Sequence, residues 1–164
     1  MHFTNAIAGL VASAAAVNAA SVTFWTLDDV TRTVYFTPSP GSPEIDPVTV
    51  NNQKNTTVDF PDRYLGNFYA VQEGQENVPG MLGEVAFGGF QGKTFFDVSA
   101  IVAPQDHDNV KQMWGVGETS PMSGCVQFPC DNAYWVHDDV QTKVTDQVDL
   151  MTTLGSGATG IDFS

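Results

Sequence analysis

What most constrains this chain is apolar–polar alternation over short runs that are repeatedly cut by Gly, Pro, Asn or Asp. Ser21-Val22-Thr23-Phe24-Trp25-Thr26 and Thr31-Arg32-Thr33-Val34-Tyr35-Phe36 are rich in β-branched and aromatic residues with a period near two, the pattern of strands with one buried face. Leu27-Asp28-Asp29-Val30 between them suits a short turn. Thr37-Pro38-Ser39-Pro40-Gly41-Ser42-Pro43 then ends the run, because proline has no amide proton to give to a ladder. Further strands are expected at 48–50, 56–60, 67–71 and 84–87. Gly88-Gly89-Phe90-Gln91-Gly92 reads as a hairpin loop leading into a strand at 94–98. So many short strands, with few amphipathic helical patterns, predict an all-β fold: an antiparallel β-sandwich with minor helical turns. One such turn is expected within 105–114, and 142–154 fits either a final helix or a strand.

Residues 1–20 read as an export signal. Ala6 to Val17 is apolar and rich in alanine, and Val17-Asn18-Ala19 supplies the small residues of a cleavage site, with Ala20 as a neighbouring choice. No Lys or Arg lies in this stretch, so only the α-amino group and His2 give it positive character. A membrane anchor is the competing reading, but the run is too short for ~30 Å of hydrocarbon. The expectation is a secreted, extracellular chain with one domain over 21–154 and a frayed tail over 155–164.

All 19 acidic and all 6 basic residues follow position 20, so the expected secreted chain keeps the net charge of −13. Such a surface repels polyanions, the opposite of the usual nucleic-acid binder. It suits cations or basic partners. Two cysteines in an exported chain most simply form one disulfide, Cys125–Cys130, closing a small loop around Pro129. The alternative, a thiolate metal site with His137, needs about four ligands and a reducing compartment. Asn55-Thr56-Thr57 is an acceptor for N-glycosylation in a polar turn.

The stretch 94–139 holds both cysteines and two of the three histidines. In Asp106-His107-Asp108, His107 has the chemistry of a general base while Asp106 and Asp108 offer hard oxygens to Mg²⁺ or Ca²⁺. Its structural alternative is Asp106 as a helix N-cap before Val110. In His137-Asp138-Asp139, His137 set beside His107 makes a two-histidine centre with Asp138 as a third metal carboxylate. The alternative is a turn whose aspartates accept backbone amides. Asp97, Glu84 and Asp59 fall within expected strands, where Asp97 lines an acidic cleft or fixes the sheet. Trp25, Trp114 and Trp135 are candidates for a sugar-stacking platform or for packing. No phosphate-binding Gly-rich loop, nucleophile elbow or zinc pattern occurs.

Phe96-Asp97-Val98-Ser99, and Cys130-Asp131-Asn132-Ala133-Tyr134 followed by Asp138-Asp139, resemble two segments of the thaumatin-like proteins, in the same order. That resemblance implies a thaumatin-like sandwich, although typical plant members are larger and held by many disulfides. More of the chain resembles a fungal family of small secreted proteins labelled extracellular deoxyribonucleases. The pieces are Val34-Tyr35-Phe36-Thr37, Val58-Asp59-Phe60-Pro61, Pro79-Gly80-Met81-Leu82-Gly83-Glu84 and Phe128-Pro129-Cys130-Asp131-Asn132-Ala133-Tyr134.

Two functions follow as expectations. The first is a secreted fungal thaumatin-like protein that engages a cell-wall polysaccharide or a surface protein. The second, implied by the family label, is a divalent-metal-dependent deoxyribonuclease acting on DNA through His107, His137, Asp106, Asp108 and Asp138.

Overall fold

The computed structural model describes residues 19–163, so nearly all of the expected export signal lies outside the described residues. Eleven strands make the fold: β1 (Ala20–Thr26), β2 (Arg32–Pro38), β3 (Val48–Val50), β4 (Thr56–Phe60), β5 (Leu65–Gln72), β6 (Leu82–Ala86), β7 (Thr94–Ser99), β8 (Val110–Gly115), β9 (Met122–Gly124), β10 (Lys143–Thr145) and β11 (Asp149–Leu154). A 3₁₀ turn at Phe90–Gly92 lies between β6 and β7. The strands form a five-stranded sheet, ordered β4-β1-β11-β8-β9, and a six-stranded sheet, ordered β10-β7-β6-β5-β2-β3. The all-β sandwich expected from alternation is therefore present.

Alternation decides which side chains enter the space between the sheets. Val22 and Phe24 of β1, Val34 and Phe36 of β2, Phe68 of β5, Val85 of β6 and Phe96 of β7 are all buried. The aromatic rings meet edge to face, Phe24 with Phe68 at 5.1 Å and Phe36 with Phe60 at 5.6 Å between centroids. Each buried Phe contributes roughly 2–3 kcal/mol of transfer free energy, and the T-shaped contacts favour one arrangement of the rings.

Four local expectations change. The pairing of β1 with β11 is parallel, whereas the other ladders are antiparallel. These two strands come from opposite ends of the domain, so the long crossover that a parallel pair needs is already there. Secondly, β1 and β2 lie in different sheets, so their connection crosses the sandwich instead of closing a hairpin. Thirdly, the helical turn expected within 105–114 is replaced by β8, which is buried along its whole length between β11 and β9. Lys111, Gln112 and Met113 have ordinary helix propensity, and pairing on both edges overrides it. Lastly, 142–154 divides into β10 and β11, one in each sheet, and β9 was not foreseen.

Arg32 holds the crossing between the sheets. Its side chain is fully buried and donates from Nη1 and Nη2 to the two Asp28 carboxylate oxygens at 2.6 and 2.8 Å. It also donates to Val30 O, Asp108 O and Asn109 Oδ1. All five guanidinium N–H groups are thereby engaged, as a buried charge requires. Burial raises the Asp28 carboxyl, but the Arg32 hydrogen bond, the Ser156 and Val30 amides and the Arg32 charge outweigh it and hold the group below its ordinary value.

The segment after β11, expected as a frayed tail, has specific partners. Gly155 N donates to Asn109 O, Ser156 N donates to Asp28 Oδ2, and Phe163 packs edge-on to Trp114 at 4.9 Å.

Candidate functional site

The inward positions of β2, β5, β6 and β7 are mostly apolar, Arg32 and Thr94 being the buried polar ones, and the intervening residues occupy the outer face of the six-stranded sheet. The register places Thr37 opposite Asn67, Asn67 opposite Glu84, and Glu84 opposite Asp97. A polar row thus runs across four strands. Beside it runs an apolar row in which Leu65 pairs with Ala86, Ala86 with Phe95, and Phe95 with Val144. Between these rows and the 134–142 segment lies a groove of about 440 Å³. Asn67, Glu84, Asp97 and Phe95 contribute to its sheet side, and Tyr134, His137 and Thr142 to its loop side.

The disulfide loop explains why that segment sits there. Cys125 and Cys130 are bonded, and Phe128 between them packs against Trp135 at 5.9 Å while Trp135 Nε1 donates to Cys130 O at 3.0 Å. Asn132 Nδ2 donates to Met122 O, and Gly124 N donates to Asn132 O. Past this anchor, Tyr134 forms a bridge to Ser99 at the end of β7. Tyr134 N donates to Val98 O, and Ala100 N donates to Tyr134 O. Asp139 closes the next turn by accepting the Trp135 and Val136 amides. Those two hydrogen bonds hold the Asp139 carboxyl below its usual range. Both cysteines therefore serve to fix a loop over the sheet face, as a small covalent ring is suited to do.

Tyr134, Thr142 and Asp97 form a directed chain of donors. Thr142 N donates to Tyr134 Oη at 3.3 Å, the two hydroxyls lie 2.8 Å apart, and Thr142 Oγ1 donates to Asp97 Oδ2 at 3.2 Å. Because the Thr142 proton goes to Asp97, the Tyr134 hydroxyl is the donor within the pair. The other oxygen, Asp97 Oδ1, is buried and meets no donor among the described residues. Burial, and next the Glu84 charge and its hydrogen-bonding contact, push the Asp97 carboxyl up to about 7, against smaller opposing effects of Thr142 and Lys143. Two carboxyls side by side in low dielectric favour holding one proton between them.

Of the residues expected to carry chemistry, His137 lines this groove and His107 does not. Asp106 is spent on structure: it accepts Met81 N at 2.8 Å, Asp108 N at 3.2 Å and Asn109 Nδ2 at 3.0 Å. It therefore caps a turn, not a helix. The Asp108 and His107 carbonyls accept from Arg32 and Lys111, and the His107, Asp108 and Asp138 side chains are exposed. No group of three or more His, Cys, Asp or Glu that could hold a metal occurs among the described residues. The set Asp106, Asp108 and Asp138 thus does not fit Mg²⁺ or Ca²⁺, which take six or more oxygens. Cys125 and Cys130 are in the disulfide, so no thiolate is left to join His137. Trp25, Trp114 and Trp135 are at most partly exposed, and Trp135 and Trp114 are engaged by Phe128 and Phe163.

Asp97 and Glu84 were visible singly, but an even count outward from the Gly88–Gly92 turn sets Glu84 opposite Phe96, and only the observed register brings it opposite Asp97. Nothing in the local sequence marks Asn67 or Thr142, which reach the groove through tertiary pairing.

No protein-family model matches the chain. Antigenic protein SchS21 of Stachybotrys chartarum is 64% identical over 144 residues, spanning 88% of this chain and the whole of that protein. The chain belongs to the family of this antigenic protein. Among solved structures, the protein elicitor MoHrip2 from Magnaporthe oryzae superposes with a TM-score of 0.66 at 14% identity, covering 84% of this chain and 99% of its own. That likeness is one of fold. The deoxyribonuclease identity expected from the sequence resemblance is corrected here. The relative carries the name of an antigenic protein and the structural neighbour that of an elicitor, and the five residues assigned to nuclease chemistry are not gathered into one centre.

Proposed function

We propose that this is a small secreted fungal protein that acts outside the cell by recognising a polysaccharide of a cell wall or host surface. The outer groove of the six-stranded sheet is the recognition site. The observation that carries this reading is the pairing of a polar row, Asn67-Glu84-Asp97, with an apolar row, Leu65-Ala86-Phe95, along one groove. A sugar ring has the same division: hydroxyls at its edge accept and donate hydrogen bonds, and its C–H face packs on apolar and aromatic groups. The antigenic relative and the elicitor of similar fold support an extracellular setting. A surface protein in place of a polysaccharide is the second reading, and the exposed Leu65, Ile101 and Val144 favour it to the extent that protein contacts use apolar centres. Asn55 is exposed just before β4, where a glycan would stand on the other sheet from the groove.

The test is retention on fungal and plant wall fractions and on a glycan array, for the wild type and for a Glu84→Gln/Asp97→Asn variant. Retention of the wild type and loss in the variant is the expected result. Folded wild-type protein retained by no wall fraction and no glycan removes the proposal.

A further inference from the structure

We infer that the outer face of the five-stranded sheet docks an extended peptide segment of a partner protein, one that carries an aromatic residue beside Lys or Arg. In the free protein the chain's own C-terminal residues occupy that face. The surface lies on the opposite sheet from the groove and does not depend on polysaccharide recognition.

Register defines the face. Val22, Leu150 and Met113 point into the core, so their neighbours Thr23, Met151 and Trp114 point outward. The ladders set these three in one row with Met122. A tryptophan at such a position would meet water, yet Trp114 is only 4% exposed. Phe163 packs on it, edge-on at 4.9 Å. The C-terminal segment therefore already shows what this surface takes: one aromatic ring against Trp114, with half-buried Met151 and Met122 in the same row. Methionine side chains adapt to rings of different outline.

The cover is loosely fastened. Gly155 N donates to Asn109 O and Ser156 N to Asp28 Oδ2, which ties the chain just after β11. Past Ser156, the only hydrogen bond among the described residues is local, from Ile161 N to Thr159 Oγ1. Ile161 and Asp162 are exposed. A segment with so few bonds to the rest of the fold opens at low cost, and the Phe163–Trp114 contact is what seats it.

Charge decides the partner. The strands of this sheet carry one basic residue, Lys111, and its amine is turned to the His107 carbonyl and the Phe128 ring. Two exposed carboxylates, Asp59 and Asp149, stand outward on either side of Ser21. The C-terminal segment brings Asp162 next to Phe163. Its ring suits the surface, but its charge has the sign of the surface. A segment with the ring flanked by Lys or Arg supplies the same ring with the opposite charge, and so displaces it.

The test titrates the full secreted chain with a short Ser/Ala-rich synthetic peptide carrying Lys-Phe-Lys at its centre. Control peptides carry Glu-Phe-Glu or Lys-Ala-Lys instead. Wild type, Phe163→Ala and Asp162→Lys are compared, with affinity read by calorimetry and position by the NMR signal of the Trp114 indole N–H. Phe163→Ala is expected to bind the Lys-Phe-Lys peptide roughly tenfold or more tighter than wild type, because the competing ring is gone, and the Trp114 signal is expected to move. Asp162→Lys seats the segment more firmly on the acidic face and is expected to bind more weakly than wild type. Both control peptides are expected to bind roughly tenfold or more weaker. Asp162→Lys keeps the Phe163 contact, so it carries the comparison should Phe163→Ala fail to fold. Equal affinity of the three chains overturns the occupied face. Equal binding of the Glu-Phe-Glu peptide overturns the basic partner, and equal binding of the Lys-Ala-Lys peptide overturns the aromatic one. Binding that leaves the Trp114 signal in place lies elsewhere on the molecule and overturns the site. No binding to any of the chains reduces the Phe163 contact to packing and overturns the docking surface.

Discussion

Glu84 on β6 and Asp97 on β7 are directly opposed in the ladder, with both side chains on the outer face and the Asp97 carboxyl buried beneath the Tyr134–Thr142 segment. Like charges set opposite each other destabilise a sheet. A pair of this kind is therefore costly to the fold, and its presence at the floor of a groove is one of the observations on which the proposed recognition site rests.

That cost depends on pH with a definite sign. The Asp97 carboxyl moves from an ordinary 3.8 to about 7 on folding, so the folded state holds this proton more tightly than the unfolded chain. Its contribution is fully present below about 3.8 and is lost as pH rises through about 7. Urea midpoints of the wild type and Asp97→Asn, measured across this range, are expected to converge or cross as pH rises, because Asn cannot ionise. A difference between the two that is constant with pH counts against the buried proton.

Arg32 and Asp28 form the second charge arrangement, and here the signs are complementary. Arg32→Met leaves Asp28 without its main partner and several carbonyls without donors, with an expected loss of roughly 3–5 kcal/mol in chemical unfolding. Asp28→Asn/Arg32→Met recovers part of it, since no unpaired charge remains. The depressed Asp28 carboxyl adds stability above its ordinary pKa that disappears as pH falls through the folded value. The double variant is expected to show a weaker acid dependence than the wild type. Additive single effects show that the two residues do not act together.

Removing the disulfide tests the route from the cysteines to the groove. Cys125→Ala/Cys130→Ala opens a ring of small sequence separation, 5 residues, which in the chain-entropy account lowers stability by about 2 kcal/mol. The Phe128–Trp135 contact and the Tyr134 bridge depend on the same loop. Ligand binding is thus expected to weaken under conditions where the variant is still fully folded. Unchanged binding in the folded variant separates the loop from the site.

Gly124 ends β9 with φ of +89°, and a Cβ at this position would collide with the Lys111 carbonyl. Gly124→Ala meets both a backbone penalty and a steric one against a neighbouring strand. Thermal unfolding is expected to show a loss of at least 2 kcal/mol, roughly the sum of these effects. A change near zero places the backbone elsewhere.

Much of the sheet structure was legible because alternation is a local signal. Thr31–Phe36 shows it plainly, and β2 buries Val34 and Phe36 as that pattern requires. β8 escaped because Val110-Lys111-Gln112-Met113-Trp114 lacks period two. It is buried throughout, with Lys111 directed to the His107 carbonyl and the Phe128 ring, so no polar face alternates with an apolar one. The groove was half legible. Asp97 stood out as a carboxylate in an apolar run, but its partner Thr142 lies 45 positions away. The aspartates and histidine of 106–108 drew attention by density, yet dense polar residues in a turn more often saturate the backbone than bind a ligand. Asp106 does so.

By itself, the sequence determined the all-β class, the strands with clear alternation, the acidic balance and the pairing available to two cysteines, all of which depend on neighbours in the chain. Tertiary structure alone decided that β1 joins β11 in parallel, that β1 and β2 separate into different sheets, and that Glu84, Asp97, Tyr134 and Thr142 share one groove. Those outcomes rest on burial and register between distant segments. The free energy that selects them comes from surface removed from water jointly by both partners, and no local stretch of residues carries it.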